Sequence, residues 1–143
     1  MKLINIESLF FIALIFLSSC TQKKEIEKSF NADDMIIRIS DIEIDSIYLE
    51  EYISILKEES EASVRLESGV ISIYPMFQKE NPSEIRILEI YRNKEAYESH
   101  LQTPHFKQYK TTTLNMVKSL KLIDMIAIDE ESMPAIFEKM PKK

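Results

Sequence analysis

The chain has 143 residues, 45% of them hydrophobic and 29% charged, with a formal charge of −6, which bounds it to one modest globular domain with appendages. An acidic balance without a basic stripe lacks the electrostatic footprint of a nucleic-acid binder. Gly69 is the only glycine and Cys20 the only cysteine, so glycine-rich phosphate loops, iron–sulfur clusters, cysteine-zinc sites and intrachain disulfides are excluded.

The first segment carries Lys2, an apolar run from Leu9 to Leu17, and then Leu17-Ser18-Ser19-Cys20. That is a secretion signal ending in small residues, too short to serve as a permanent bilayer span. It resembles a bacterial lipoprotein signal, in which the thiol of Cys20 takes up lipid and becomes the new amino terminus after cleavage. Loss of residues 1–19 removes one lysine and one glutamate, leaving the charge at −6. Residues 20–34 are polar, with Lys23-Lys24-Glu25 and Asp33-Asp34, and read as a tether between lipid and domain.

From Met35 to Ile44 the chain is β-branched and alternating, a strand interrupted on one face by Arg38 and Ser40. Asp45 then caps a helix. Leu49, Tyr52, Ile53, Leu56 and Val64 recur at helical spacing, which predicts an amphipathic helix from Ser46 to about Glu67, ended by Gly69 in a left-handed cap conformation. Val70–Phe77 and Glu84–Tyr91 read as strands of a hairpin, with Asn81-Pro82 marking the turn. Asn93 caps a short helix through Leu101. Thr103-Pro104 restarts a helix, a capping hydroxyl followed by proline in the first turn, and Phe106, Tyr109, Thr113, Met116, Val117 and Leu120 continue its spacing. Lys121 to Ile128 reads as a fourth strand and Ser132 to Met140 as a small terminal helix.

This order predicts an α+β, ferredoxin-like domain over residues 35–128, a four-stranded antiparallel sheet with helices on one face, followed by an extension at 129–143. In the second strand, Ile71, Ile73 and Phe77 on one side and Val70, Tyr74 and Met76 on the other are all apolar. Something must therefore cover the second face, and a homodimer formed sheet to sheet is the simplest cover.

Four segments carry a wider likeness. Arg38-Ile-Ser-Asp-Ile-Glu-Ile-Asp45, Glu58 through Val70, Glu89-Ile-Tyr-Arg-Asn-Lys-Glu-Ala-Tyr97 and His100-Leu-Gln-Thr-Pro-His-Phe106 together resemble the antibiotic biosynthesis monooxygenase domain, the group that includes quinol monooxygenases and haem-degrading relatives. The resemblance covers Met35 to about Ile126. It implies a dimeric ferredoxin-like barrel with a pocket between sheet and helices in each subunit, and oxygenation of small phenolic or quinol substrates by O2 with no metal or flavin cofactor. It also marks departures. Tyr91 stands where the family often has tryptophan, Lys110 falls near the histidine ligand of haem-degrading relatives, and Arg38 falls near their asparagine, so haem binding loses support. The family includes non-catalytic members as well, and an envelope module that binds a small apolar ligand or a protein in the same cavity is the alternative.

Within this frame, His100 lies at the edge of a stripe made by Ala96, Tyr97 and Leu101, where an imidazole either enters a pocket as a general base or bonds to a backbone carbonyl. His105 reads as packing and capping. A spacing of five separates two side chains on a continuous helix by about 140°, and Pro104 breaks the helix between them, so the pair is not expected to share a metal. Glu89 and Tyr91 occupy one strand face with Ile87. Glu89 is a candidate proton acceptor or the partner of Arg38 or Arg86, and Tyr91 is an aromatic wall with a hydroxyl. Arg38, Tyr74 and Tyr109 are candidate substrate contacts, Arg38 through a bidentate grip on an anion or a pair with Glu89. The seven methionines read as core filler.

Overall fold

The computed structural model describes residues 31–129 and 132–139. The lipid-signal assignment at 1–19, Cys20 and most of the tether lie outside these residues. At the end of the tether, Ala32–Asp34 form a single 3-10 turn, capped by the Asn31 side chain on the Asp33 amide. Strand β1, Ile36–Ile44, follows, then helix α1, Leu49–Leu66, the hairpin β2, Val70–Phe77, and β3, Glu84–Tyr91, the helices α2, Lys94–His100, and α3, Pro104–Thr112, strand β4, Val117–Met125, and helix α4, Ser132–Glu138. The sheet runs β2-β3-β1-β4 with every pairing antiparallel. This is the ferredoxin-like arrangement, with β1 and β3 in the centre.

The register puts Arg38 opposite Glu89 on one side and Asp124 on the other, and Ser40 between Ile87 and Leu122. These positions share the face covered by α1 and α3. Ile42, Ile44, Tyr52, Leu56, Ile73, Ile85, Ile87, Tyr91 and Met116 form the core there. Each large aliphatic side chain in it contributes about 1.5–3 kcal/mol by leaving water. Among the described residues no helix is long and apolar enough to cross a membrane.

Four local expectations are corrected. Asp45 caps a 3-10 turn at Ser46–Tyr48, accepting from the Ile47 amide, and α1 begins only afterwards at Leu49. Gly69 does not adopt a positive φ. Its reason is space, since a Cβ built there would stand 2.4 Å from the Cβ of Ala96 on α2. In β2 an irregularity between Val70 and Ser72 removes Ile71 from the alternation, so Val70, Ile73, Pro75 and Phe77 align with the helix side, and Ser72, Tyr74 and Met76 fall on the other. Helix α3 stops at Thr112, where Thr113 turns its hydroxyl back to the Tyr109 carbonyl, and Val117 already belongs to β4. The β-branched run Thr111-Thr112-Thr113 disfavours the helix that the apolar spacing through Leu120 suggested. Strand β4 correspondingly runs Val117–Met125, not 121 to 128.

Candidate functional site

Between the sheet and the helices lies a cavity of about 410 Å³, within the size range of small-molecule sites. Its floor comes from β1 and β3 through Arg38, Ser40, Ile87, Glu89 and Tyr91, and its opposite wall from α1, α2 and α3 through Leu56, Glu59, Tyr97, His100, Phe106 and Tyr109. Leu120 and Leu122 of β4 form an exposed apolar rim.

On the floor, the Tyr91 hydroxyl donates to Oε2 of Glu89 at 2.9 Å, and the Ser40 hydroxyl donates to Oε1. Both donors satisfy a carboxylate that would otherwise sit beside an apolar core at high cost. Burial and then the adjacent Glu89 push the Tyr91 phenol far above its ordinary range, so it stays a proton donor. Arg38 does not pair with Glu89. Its Nε and Nη2 both reach Oδ1 of Asp124 at 2.7 Å, and its guanidinium stacks 4.9 Å from the centre of the Tyr97 ring. The hydrogen bond to Asp124, the largest influence, raises its pKa further. Arg86, the other expected partner of Glu89, binds Asp41 at 2.8 Å and Glu84 at 3.3 Å on the opposite face.

The wall contains a second polar group. His100, the last residue of α2, is only 2% exposed. Its ring lies 5.3 Å from Tyr91 and 4.7 Å from Phe106. Oε1 of Glu67, just past the end of α1, accepts from Nδ1 of His100 at 3.0 Å and from Nε2 of His105 at 2.6 Å. With Nδ1 donating, a neutral His100 ring carries its lone pair on Nε2, which faces Oε1 of Glu59 at 3.7 Å. Glu59 is buried and receives the Ser63 hydroxyl at 2.8 Å. Burial outweighs that hydrogen bond and the nearby histidines, so its pKa is raised. Deeper in the wall, the hydroxyls of Tyr52 and Tyr109 meet at 2.6 Å, and burial lifts both phenols, Tyr52 to about 12.

Local sequence explains why these groups converge. The Asn93 side chain accepts from the Ala96 amide and starts α2. The Thr103 hydroxyl donates to the His100 carbonyl at 2.8 Å and accepts from the Phe106 amide at 3.3 Å, fixing the turn between α2 and α3. That turn brings both histidine rings to one carboxylate, with ring centres 6.4 Å apart. The continuous-helix argument that kept them apart does not apply, because they end one helix and begin another. His105 therefore does more than cap.

Of the candidate residues, His100, Tyr91, Glu89, Arg38 and Tyr109 border the cavity, and so does Lys110. Tyr74 does not: the irregularity in β2 turns it to the other face, 55% exposed. Sequence reasoning missed Glu59 and Glu67. Glu59 had a readable signal, for it continues the Tyr52-Leu56 stripe of α1 as a charge on the apolar side, followed there by Ser63.

The sequence signature of the antibiotic biosynthesis monooxygenase family matches residues 35–112. A solved structure from Bacteroides thetaiotaomicron, described as a candidate antibiotic biosynthesis monooxygenase, is 49% identical, with a TM-score of 0.68 over 69% of this chain and 94% of that one. A candidate monooxygenase from Lactobacillus acidophilus is 31% identical, TM-score 0.64, over 66% of this chain and 45% of that one. A candidate antibiotic biosynthesis monooxygenase from Nitrosomonas europaea, 16% identical with a TM-score of 0.63 over 68% and 93%, shares the fold. No curated protein matches the chain.

Proposed function

The chain belongs to the antibiotic biosynthesis monooxygenase family, and on that premise we propose that it oxygenates a small phenol- or quinol-type compound in the cavity above β1 and β3. The observation that carries this reading is the pairing of His100, buried and held by Glu67, with an apolar cavity whose floor includes the Tyr91 ring. Nε2 of His100 takes the phenolic proton, and the phenolate, poorer in solvation than in water, becomes the electron donor to O2. One oxygen atom enters the ring carbon and the other leaves as water, so that phenol and O2 become quinone and water with the substrate supplying the electrons. Tyr91 stays protonated, its one proton held by Glu89, and its ring lies against the substrate as part of the floor, while Arg38 and Tyr109 shape the two ends.

Oxygen uptake with a panel of phenols and quinols tests this. The His100→Ala variant is expected to lose roughly 10²–10⁴-fold in rate, the usual worth of a positioned base. Uptake by the variant equal to wild type, or none by either protein above a buffer blank, overturns the reading.

The same proposal places the protein on a membrane through lipid on Cys20, outside the cytoplasm, in the bacterial envelope. Cys20→Ala should then accumulate as an unacylated precursor. It also includes a homodimer. Tyr74, Met76, Ile123 and Met125 leave 41–55% of their surfaces in water on the uncovered sheet face, an apolar patch of the kind that partners cover. Sedimentation should give twice the chain mass, and a monomer at micromolar concentration would refute the dimer.

A further inference from the structure

We propose that Glu67, His100 and His105 form a binding site for one divalent ion of the zinc class, a role beyond the oxygenase reading. Oε1 of Glu67, a ring nitrogen of His100 and a ring nitrogen of His105 all lie within 4.8 Å of one another. Two imidazoles and one carboxylate are the donor set of zinc sites that keep a fourth position for water. The three ligands come from the end of α1, the end of α2 and the first turn of α3, and the Thr103 hydrogen bonds already hold the last two in place. Their environment suits the task. His100 is almost fully enclosed, Glu67 and His105 are half-buried, and the partial exposure of the His105 side chain, 19%, gives an ion a way in.

The distances fit with small movement. Zinc holds nitrogen and oxygen ligands at about 2.0–2.2 Å, which puts tetrahedral donors roughly 3.3 Å apart. The present contacts of 3.0 and 2.6 Å to Glu67 must open by about 0.3 and 0.7 Å, and the widest separation in the trio, within 4.8 Å, must close toward the same value, changes that rotation of the Glu67 carboxylate and the His105 ring can supply. Binding at Nδ1 moves the proton of a neutral His100 ring to Nε2, where the carboxyl group of Glu59 waits 3.7 Å away. A ligating histidine whose other ring N–H meets a carboxylate is the usual outer-shell pattern of metal sites. It gives buried Glu59 a purpose that the cavity alone does not. An ion here and a free lone pair on Nε2 exclude one another, so occupancy would silence the base of the proposed reaction. The site itself is tested without turnover.

The purified full chain is titrated with Zn2+ by calorimetry, and with Co2+ while the visible spectrum is followed. The expected result is one ion per chain and the absorption of four-coordinate cobalt. His105→Gln, which removes one nitrogen from a half-buried position, is expected to weaken binding by about tenfold or more, with Glu67→Gln doing the same and far-ultraviolet dichroism confirming that both variants fold. No saturable binding by the wild type overturns the site, and so does binding that both variants retain, which would report general acidic surface. Failure here leaves the oxygen-uptake result untouched.

Discussion

Along β1, Arg38, Ser40 and Ile42 face the helices while Ile37, Ile39 and Asp41 face away, and the two sets meet different chemistry. On the helix side polar groups are enclosed and each is answered: Ser40 and Tyr91 by Glu89, Tyr52 by Tyr109, Ser63 by Glu59. On the other side Asp41, Arg86 and Glu84 form a partly exposed ion-pair group amid Tyr74, Met76, Ile123 and Met125. An enclosed network tolerates little change, because any lost partner strands a buried group, whereas exposed pairs trade readily with water. Stability should therefore reside on the first face and association on the second.

That division can be broken by measurement. The largest effect is expected from Tyr52→Ala, which empties a fully buried aromatic site and orphans the Tyr109 hydroxyl. It should cost about 3–5 kcal/mol in chemical denaturation, against less than about 1 kcal/mol for Tyr74→Ala in the monomer. Equal losses would mean the faces are not energetically distinct. Next comes alkali. The folded pKa of Tyr52 is raised from 10.0 to about 12, mainly by burial, so the folded protein holds this proton more tightly than the unfolded chain. The associated stability is whole below pH 10 and is lost as pH rises toward 12, roughly 3 kcal/mol for two units. Unfolding monitored between these values should show a decline that is shallower in Tyr52→Phe, the remainder coming from Tyr91 and Tyr109, whose phenols burial also raises. The smallest effect is the sharpest test of contact. Gly69→Ala places a methyl against Ala96 and should cost about 1–3 kcal/mol, and Ala96→Gly in the same chain should restore much of it. No restoration would assign the glycine to backbone freedom instead.

The fold was legible because periodicity reports burial, and burial is what strands and amphipathic helices share with their sequence. Strand β1, the hairpin, α2 and the Thr103-Pro104 restart all stand where the pattern puts them. Errors arose where one residue changes the phase or where two signals compete. A single irregularity after Val70 reassigned Tyr74 to the far face, and the threonine run after Lys110 overrode an apolar spacing that continued through Leu120. The candidate site was half legible. His100, Tyr91 and Glu89 could be found because their neighbours in sequence are also neighbours in space. Glu67 could not, since its partners lie 33 and 38 residues away and only the packing of α1 against the α2–α3 turn brings them together. Nor could Arg38 be paired by chemistry alone, for its two cross-strand neighbours are both carboxylates and it chooses the one on the edge strand.

The chain has no tryptophan and six tyrosines, three of which, Tyr91, Tyr97 and Tyr109, border the cavity. Ultraviolet emission from this protein is thus tyrosine emission, and half of its emitters look into the pocket. A quinone-like compound, which absorbs where tyrosine emits, quenches that light by proximity when it enters. The molecule carries its own optical gauge of occupancy, readable without a label and without waiting for any reaction to occur.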